Sequence, residues 1–195
     1  MTGVSENYLS VALREPGVRF YTSACVVNEM EERVENGSDP ATVVVRAQPD
    51  DWQRLRDVRL AALAESPEMF GSNLAKEEAF DEAEWRGRAA RPATFLASRD
   101  GVDVGMAGVY EFDDGWSVNG MWITPAARGT GVVEALIRAC ESLVEAAGAT
   151  TIGLGVMEDN PRGRQAYARL GYELTGAREL IRDGRDELFM TKALG

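Results

Sequence analysis

Three strand-length runs separated only by tight turns, followed by one long amphipathic helix, constrain this chain more than any other feature. Thr94-Phe95-Leu96-Ala97-Ser98 reads as a strand, and Asp100-Gly101 after it is a hairpin signal. Val102 to Phe112 makes the next strand. Asp113-Asp114-Gly115 turns the chain again, and Trp116 to Ile123 makes the third strand, which Pro125 ends. Then the period changes. Val133, Leu136, Ile137, Cys140, Val144 and Ala147 recur at spacings of three and four. That predicts a helix from about Gly129 to Ala147 with one buried face, stopped by Gly148.

The flanking segments complete the pattern. Thr42-Val43-Val44-Val45 is a β-branched strand. Pro49-Asp50-Asp51 opens a helix that carries Leu55, Val58, Ala62 and Leu63 on one face and ends at Glu65-Ser66-Pro67. Phe70-Gly71-Ser72 lies in a loop, and a second helix runs from about Asp81 to Ala90. After the long helix come a strand, Thr151 to Val156, a helix from Pro161 to Leu170, and strands Tyr172–Leu180 and Asp186–Lys192 around an Asp183-Gly184 turn. The order predicts an α/β domain over residues 41–195, with a mixed central sheet of about six to seven strands flanked by about four helices. Residues 1–40 show no sustained periodicity beyond a short helical stretch at Asn28–Glu35, and read as a loosely attached extension.

Charge and composition exclude several classes. The net charge is −11 and the pI about 4.6, which argues against nucleic acid or an anionic membrane as partner. No apolar run approaches the ~18–20 residues of a spanning helix. The first residues carry neither a basic start nor an apolar core, so no secretory signal is expected. Cys25 and Cys140 make no disulfide framework, and the expected compartment is the cytoplasm. There is no histidine, which removes Ser-His-Asp and Cys-His catalysis and the common zinc sites; no metal is expected.

The richest stretch is Met121-Trp122-Ile123-Thr124-Pro125-Ala126-Ala127-Arg128-Gly129-Thr130-Gly131-Val132-Val133, a strand running through a glycine turn into a helix. The first amides of a helix lack intrahelical acceptors and, with the helix dipole, form an anion site. Gly129 and Gly131 let a diphosphate approach the backbone, and Arg128 adds a forked positive charge. A dinucleotide-binding turn would need a third glycine where Glu134 stands, and the Gly-Lys-Ser/Thr of a P-loop is absent. A plain tight turn before a helix is the alternative.

Here the sequence resembles the GCN5-related N-acetyltransferase (GNAT) superfamily. Its signature, Arg/Gln-x-x-Gly-x-Gly/Ala at this helix start, is matched at Arg128 and Gly131 and departs at Val133. A second family motif is matched by Asn160, Tyr167 seven residues later, and Leu170-Gly171-Tyr172. The resemblance covers about residues 41–195. It implies an enzyme that moves an acetyl group from acetyl-CoA to a primary amine: a small molecule, an antibiotic or a protein amine. The implied cofactor contacts are Met121, Trp122, Ile123, Arg128, Gly129, Thr130, Gly131, Val132, Val133, Asn160 and Tyr167. A homodimer is compatible with the resemblance, and a non-catalytic acyl-CoA-binding regulatory module is the alternative function.

By the same resemblance, Tyr167 is the proton donor to the departing thiolate and the Ile123 N–H polarises the thioester carbonyl. For Asn160 the other reading is a helix cap, and for Tyr167 a core tyrosine. Some relatives carry a glutamate five residues before the motif Asn; here that position is Gly155. That role is therefore not carried over to this chain. Glu111 and Asp114 lie near the strand ends facing the expected cleft, and Glu158 lies just past the fifth strand; Glu111 is the candidate base, against the alternative of a solvated carboxylate, and Asn119 could orient a water instead. Ser66–Ser72 is expected to face the acceptor.

Overall fold

The computed structural model describes residues 32–34, 42–90, 93–112, 115–181 and 184–195. Cys25, the Asp113-Asp114 turn and Asp183 lie outside them. The strands are β1 (Glu32–Val34), β2 (Thr42–Arg46), β3 (Thr94–Arg99), β4 (Val102–Phe112), β5 (Gly115–Ile123), β6 (Thr151–Met157), β7 (Glu173–Leu180) and β8 (Asp186–Ala193). The helices are α1 (Trp52–Glu65), α2 (Leu74–Glu78), α3 (Glu82–Ala89), α4 (Val132–Ala146) and α5 (Pro161–Arg169). One sheet holds all eight strands in the order β1-β2-β3-β4-β5-β6-β8-β7. Only the β5–β6 pair among them is parallel.

Local chemistry accounts for most elements. Asp100 and Gly101 take positive φ, 51° and 77°, as a two-residue hairpin turn requires. Asp81 and Glu84 cap α3 reciprocally: the Glu84 N–H donates to Asp81, and the Asp81 N–H to Glu84. Alternation along the strands then fills two cores. Leu96, Met106 and Trp122 pack against Leu55, Val58 and Ala62 of α1. Phe95, Ala97, Ala107, Val109 and Val118 pack on the other face against Leu136, Ile137, Cys140 and Val144 of α4.

One expectation is corrected, and one element is additional. Within Asn28–Glu35, the described residues Glu32–Val34 are a strand antiparallel to β2, which adds an eighth strand to the sheet. An isolated turn of helix is marginal, whereas the open edge of β2 offers backbone hydrogen bonds. The segment after Ser72 contains α2, capped by Asn73, which accepts from the Lys76 N–H at 2.9 Å. No helix of the described residues is long and apolar enough to cross a membrane.

The central feature is a split. β5 and β6 pair only over Trp116–Val118 and Ile152–Leu154, yet β5 continues to Ile123 and β6 to Met157. On the β4 side, Gly108 faces Asn119 while Met106 faces Trp122, so Ala107 alone opposes Gly120 and Met121. This is a bulge, with Gly120 at φ 63°. A bulge bends and twists its strand, here where β5 leaves β6.

Candidate active site

The open end of the split is built from β5, the turn that follows it, and α5. Beyond the bulge, Met121 and Ile123 pack toward the α4 core and Trp122 toward α1. The Thr124 N–H donates to the Val104 carbonyl at 2.8 Å, on the β4 side. Backbone groups alternate along a strand, so those of Ile123 and Met121 point away from β4, into the split. The Ile123 carbonyl accepts from Arg128 Nε at 3.1 Å from that side.

Pro125 ends β5 in a single 3-10 turn, Pro125–Ala127. Gly129 and Gly131 follow at φ 80° and 87°, and α4 begins at Val132 rather than at Gly129. No side chain caps α4, and the Ala135 N–H is the first to reach back, to the Gly131 carbonyl. The amides from Gly131 to Glu134 therefore have no acceptor among the described residues. Open space surrounds Gly129 and Gly131 where a Cβ would stand. An uncapped helix start with exposed glycines and an arginine beside it suits a diphosphate.

Arg128 is not idle. Its Nη2 donates to Glu65 at 2.8 Å. Glu65, the last residue of α1, also accepts from the Trp122 indole N–H at 3.1 Å and from the Ser66 hydroxyl. These donors, Ser66 first, hold its carboxyl down at about 2. Sequence reasoning missed Glu65, because nothing in its neighbourhood marks it; its partners lie 57 and 63 residues away.

Asn160 accepts from the Gly163 N–H at 2.9 Å and so caps α5. Tyr167, on the next turns of α5, is buried in the α4 core, edge-on to Tyr172 with ring centroids 6.2 Å apart. Burial, and secondarily the neighbouring Cys140, pushes its phenol up to about 12. Cys140 is itself fully buried, and burial raises its thiol far above the ordinary range, so it is a packing residue.

The other predicted residues fall apart in space. The register puts Glu111 opposite Trp116, at the end where β5 and β6 are still joined. Ile123 lies seven residues further along β5, roughly 20 Å at strand rise. The register thus keeps Glu111 away from the open end of the split. Asn119 stands at the bulge, exposed. Glu158 sits just past β6, exposed, with its carboxylate 3.9 Å from Arg178 and its carbonyl accepting from Arg164. Asp114 lies outside the described residues.

A split sheet with an uncapped glycine turn at its mouth defines the class, and the comparisons agree. A profile of the Acetyltransferase (GNAT) family matches residues 58–172, and the chain belongs to that family. An uncharacterized N-acetyltransferase of Mycobacterium bovis is 32% identical over 89 residues, 45% of this chain, as are those of two Mycobacterium tuberculosis strains. The match spans 57% of the length of these relatives. The yncA protein of Salmonella typhimurium, solved with its cofactor acetyl-CoA, shares the fold at a TM-score of 0.63 and 18% identity, over 79% of this chain and 94% of that one. Nourseothricin acetyltransferase is 27% identical, with a TM-score of 0.50, over 53% of this chain and 65% of that one.

Proposed function

We propose that the protein is an acetyl-CoA-dependent N-acetyltransferase acting on a primary amine. The carrying observation is the split: β5 leaves β6 at the very end where α4 presents its uncapped amides. The arrangement fits a thiol-tethered acyl donor, with the diphosphate on Gly129–Val133 and Arg128, and the pantetheine arm along Met121–Ile123. When bound, acetyl-CoA supplies an acetyl group on a thioester; the chain's own residues do the rest. The Ile123 N–H, directed into the split, is placed to donate to the acyl oxygen. Asn160 holds the start of α5, and α5 holds Tyr167.

Tyr167 donates a hydrogen bond to the sulfur. A phenol at about 12 against a thiol near ~8.5 makes complete proton transfer uphill by about 5 kcal/mol. Its role is therefore to stabilise the developing thiolate by hydrogen bonding while keeping its own proton. Two titrations and an assay test the reading. Acetyl-CoA should bind in calorimetry and NAD should not, and primary amines should release free thiol from acetyl-CoA. Tyr167→Phe should lower kcat by about 10-fold or more while leaving acetyl-CoA affinity near its starting value. Binding without thiol release on any amine would make the chain an acyl-CoA-binding module.

A further inference from the structure

Gly155 has no side chain to cover its face of β6, and the neighbouring strand fills that place with a carboxylate. In the β6–β8 pair, Gly155 stands opposite Phe189 and Met157 opposite Glu187. Ile152, Leu154 and Val156 of β6, with Leu188 and Met190 of β8, pack into the core beneath α4 and α5. Side chains alternate across a strand, so Gly155 and Glu187 share the opposite face. The Glu187 carboxylate leans across Gly155 so closely that a Cβ there would collide with it. Gly155 is also the first β6 residue beyond the last pairing with β5, Val118 with Leu154. The carboxylate therefore stands at the mouth of the split, on the side away from Tyr167.

Among the described residues no cation pairs with it. Of the described arginines beside β8, Arg178 pairs with Asp186 at 2.9 Å and Glu158 at 3.9 Å, and Arg185 with Asp159 at 3.5 Å and the Glu68 carbonyl at 2.9 Å. The facing residue of β7 is Glu179. β6 brings Gly155 and Met157, and β5 brings Ser117 and Asn119, none of them charged. Burial first, and then Glu179, push the Glu187 carboxyl above the ordinary glutamate range. The bond from Arg185 to Glu68 also ties the Ser66–Ser72 loop beside the start of β8.

We propose that Glu187 is the general base of this enzyme, receiving the proton of the acceptor ammonium at the mouth of the split, directly or through one water. The proposal rests on the acetyl-transfer reading above. In the balanced reaction the ammonium gives up two protons. The nitrogen lone pair forms the C–N bond and the C–S bond breaks. The sulfur keeps that electron pair and takes one proton, and the other leaves by Glu187 to solvent. The two faces of the split thus divide the work, with Tyr167 serving the sulfur and Glu187 the nitrogen. A lysine-like amine is free base in only about one molecule in two thousand at pH 7, so such a group has work to do.

The test compares the full-length chain with Glu187→Gln, using lysine amide, spermidine and an alanine-initiated peptide as acceptors. At pH 7 the variant should lose about 100-fold in kcat. Its acetyl-CoA dissociation constant should stay within about twofold, and its melting temperature should hold or rise. In the ligand-free wild type, NMR titration of the Glu187 carboxylate should give a midpoint above that of an ordinary glutamate, and Glu179→Gln should lower it. Activity of Glu187→Gln within threefold of wild type overturns the proposal and leaves the acetyl-transfer reading standing. So does an equal loss of kcat and cofactor affinity, which marks a structural role. If the wild type binds acetyl-CoA but releases no thiol with any acceptor, the acetyl-transfer reading fails and takes this proposal with it.

Discussion

Arg128 and Glu65 show what a single pair contributes at the glycine turn before α4. The guanidinium spans the Ile123 carbonyl and the Glu65 carboxylate, so two acceptors fix its orientation at the turn. Preorganisation of this kind lowers the cost of binding. Glu65 is held at about 2 in the folded chain, below the ~4.3 of a free glutamate. A depressed carboxyl stabilises the fold above the unfolded value, and that contribution fades as pH falls through the folded one. The melting-temperature gap between wild type and Glu65→Gln should therefore be largest above pH 5 and close between about pH 4 and 2. A gap independent of pH would show that the carboxylate's charge is not what matters. Arg128 is legible in the sequence because it sits inside the turn. Glu65 is not, because its role depends on a helix end 63 residues away in the chain. Glu187 escaped for the same reason: only strand register brings it over Gly155.

At the scale of elements, the turn before α4 is a conformational requirement as well as the proposed diphosphate site. Gly131 is the N-cap at φ 87°, a region that costs an L-residue roughly 1–2 kcal/mol. Gly131→Ala should destabilise by about 1 kcal/mol and weaken acetyl-CoA binding, as urea unfolding and calorimetry would show. Gly87 makes the contrast. It lies exposed inside α3, with open space where a Cβ would go and no positive φ. Gly87→Ala should instead stabilise by about 0.5–1 kcal/mol and leave binding unchanged. The long elements were legible because their periods repeat: α4 buries Leu136, Ile137, Cys140 and Val144 as its stripe predicts. The three residues of β1 and five of α2 are too short to show a period, so neither was expected.

Across the whole molecule, one face of the sheet is held by a buried ion cluster. Glu77 of α2 is fully buried and pairs with Arg59 of α1 and Arg88 of α3, each at 2.9 Å. It joins three helices on the face that also carries the Ser66–Ser72 loop. Removing one member of such a cluster strands the others, so Glu77→Ala should cost about 3 kcal/mol in urea unfolding. A loss under 1 kcal/mol would mean that water replaces the carboxylate at no cost. Glu111 shows the limit of reading at this scale. It lies near the end of β4, but the expectation that this end faces the cleft fails: the antiparallel register makes it the joined end of the split. The sequence by itself determined the element types, their order, and the glycine turn with its arginine, because propensity, hydrophobic period and positive-φ glycines act over a few residues. Tertiary structure alone decided where β5 parts from β6, which carboxylate stands at the opening, and what holds Arg128. Those depend on register and on contacts between residues far apart in the chain, which no local pattern encodes.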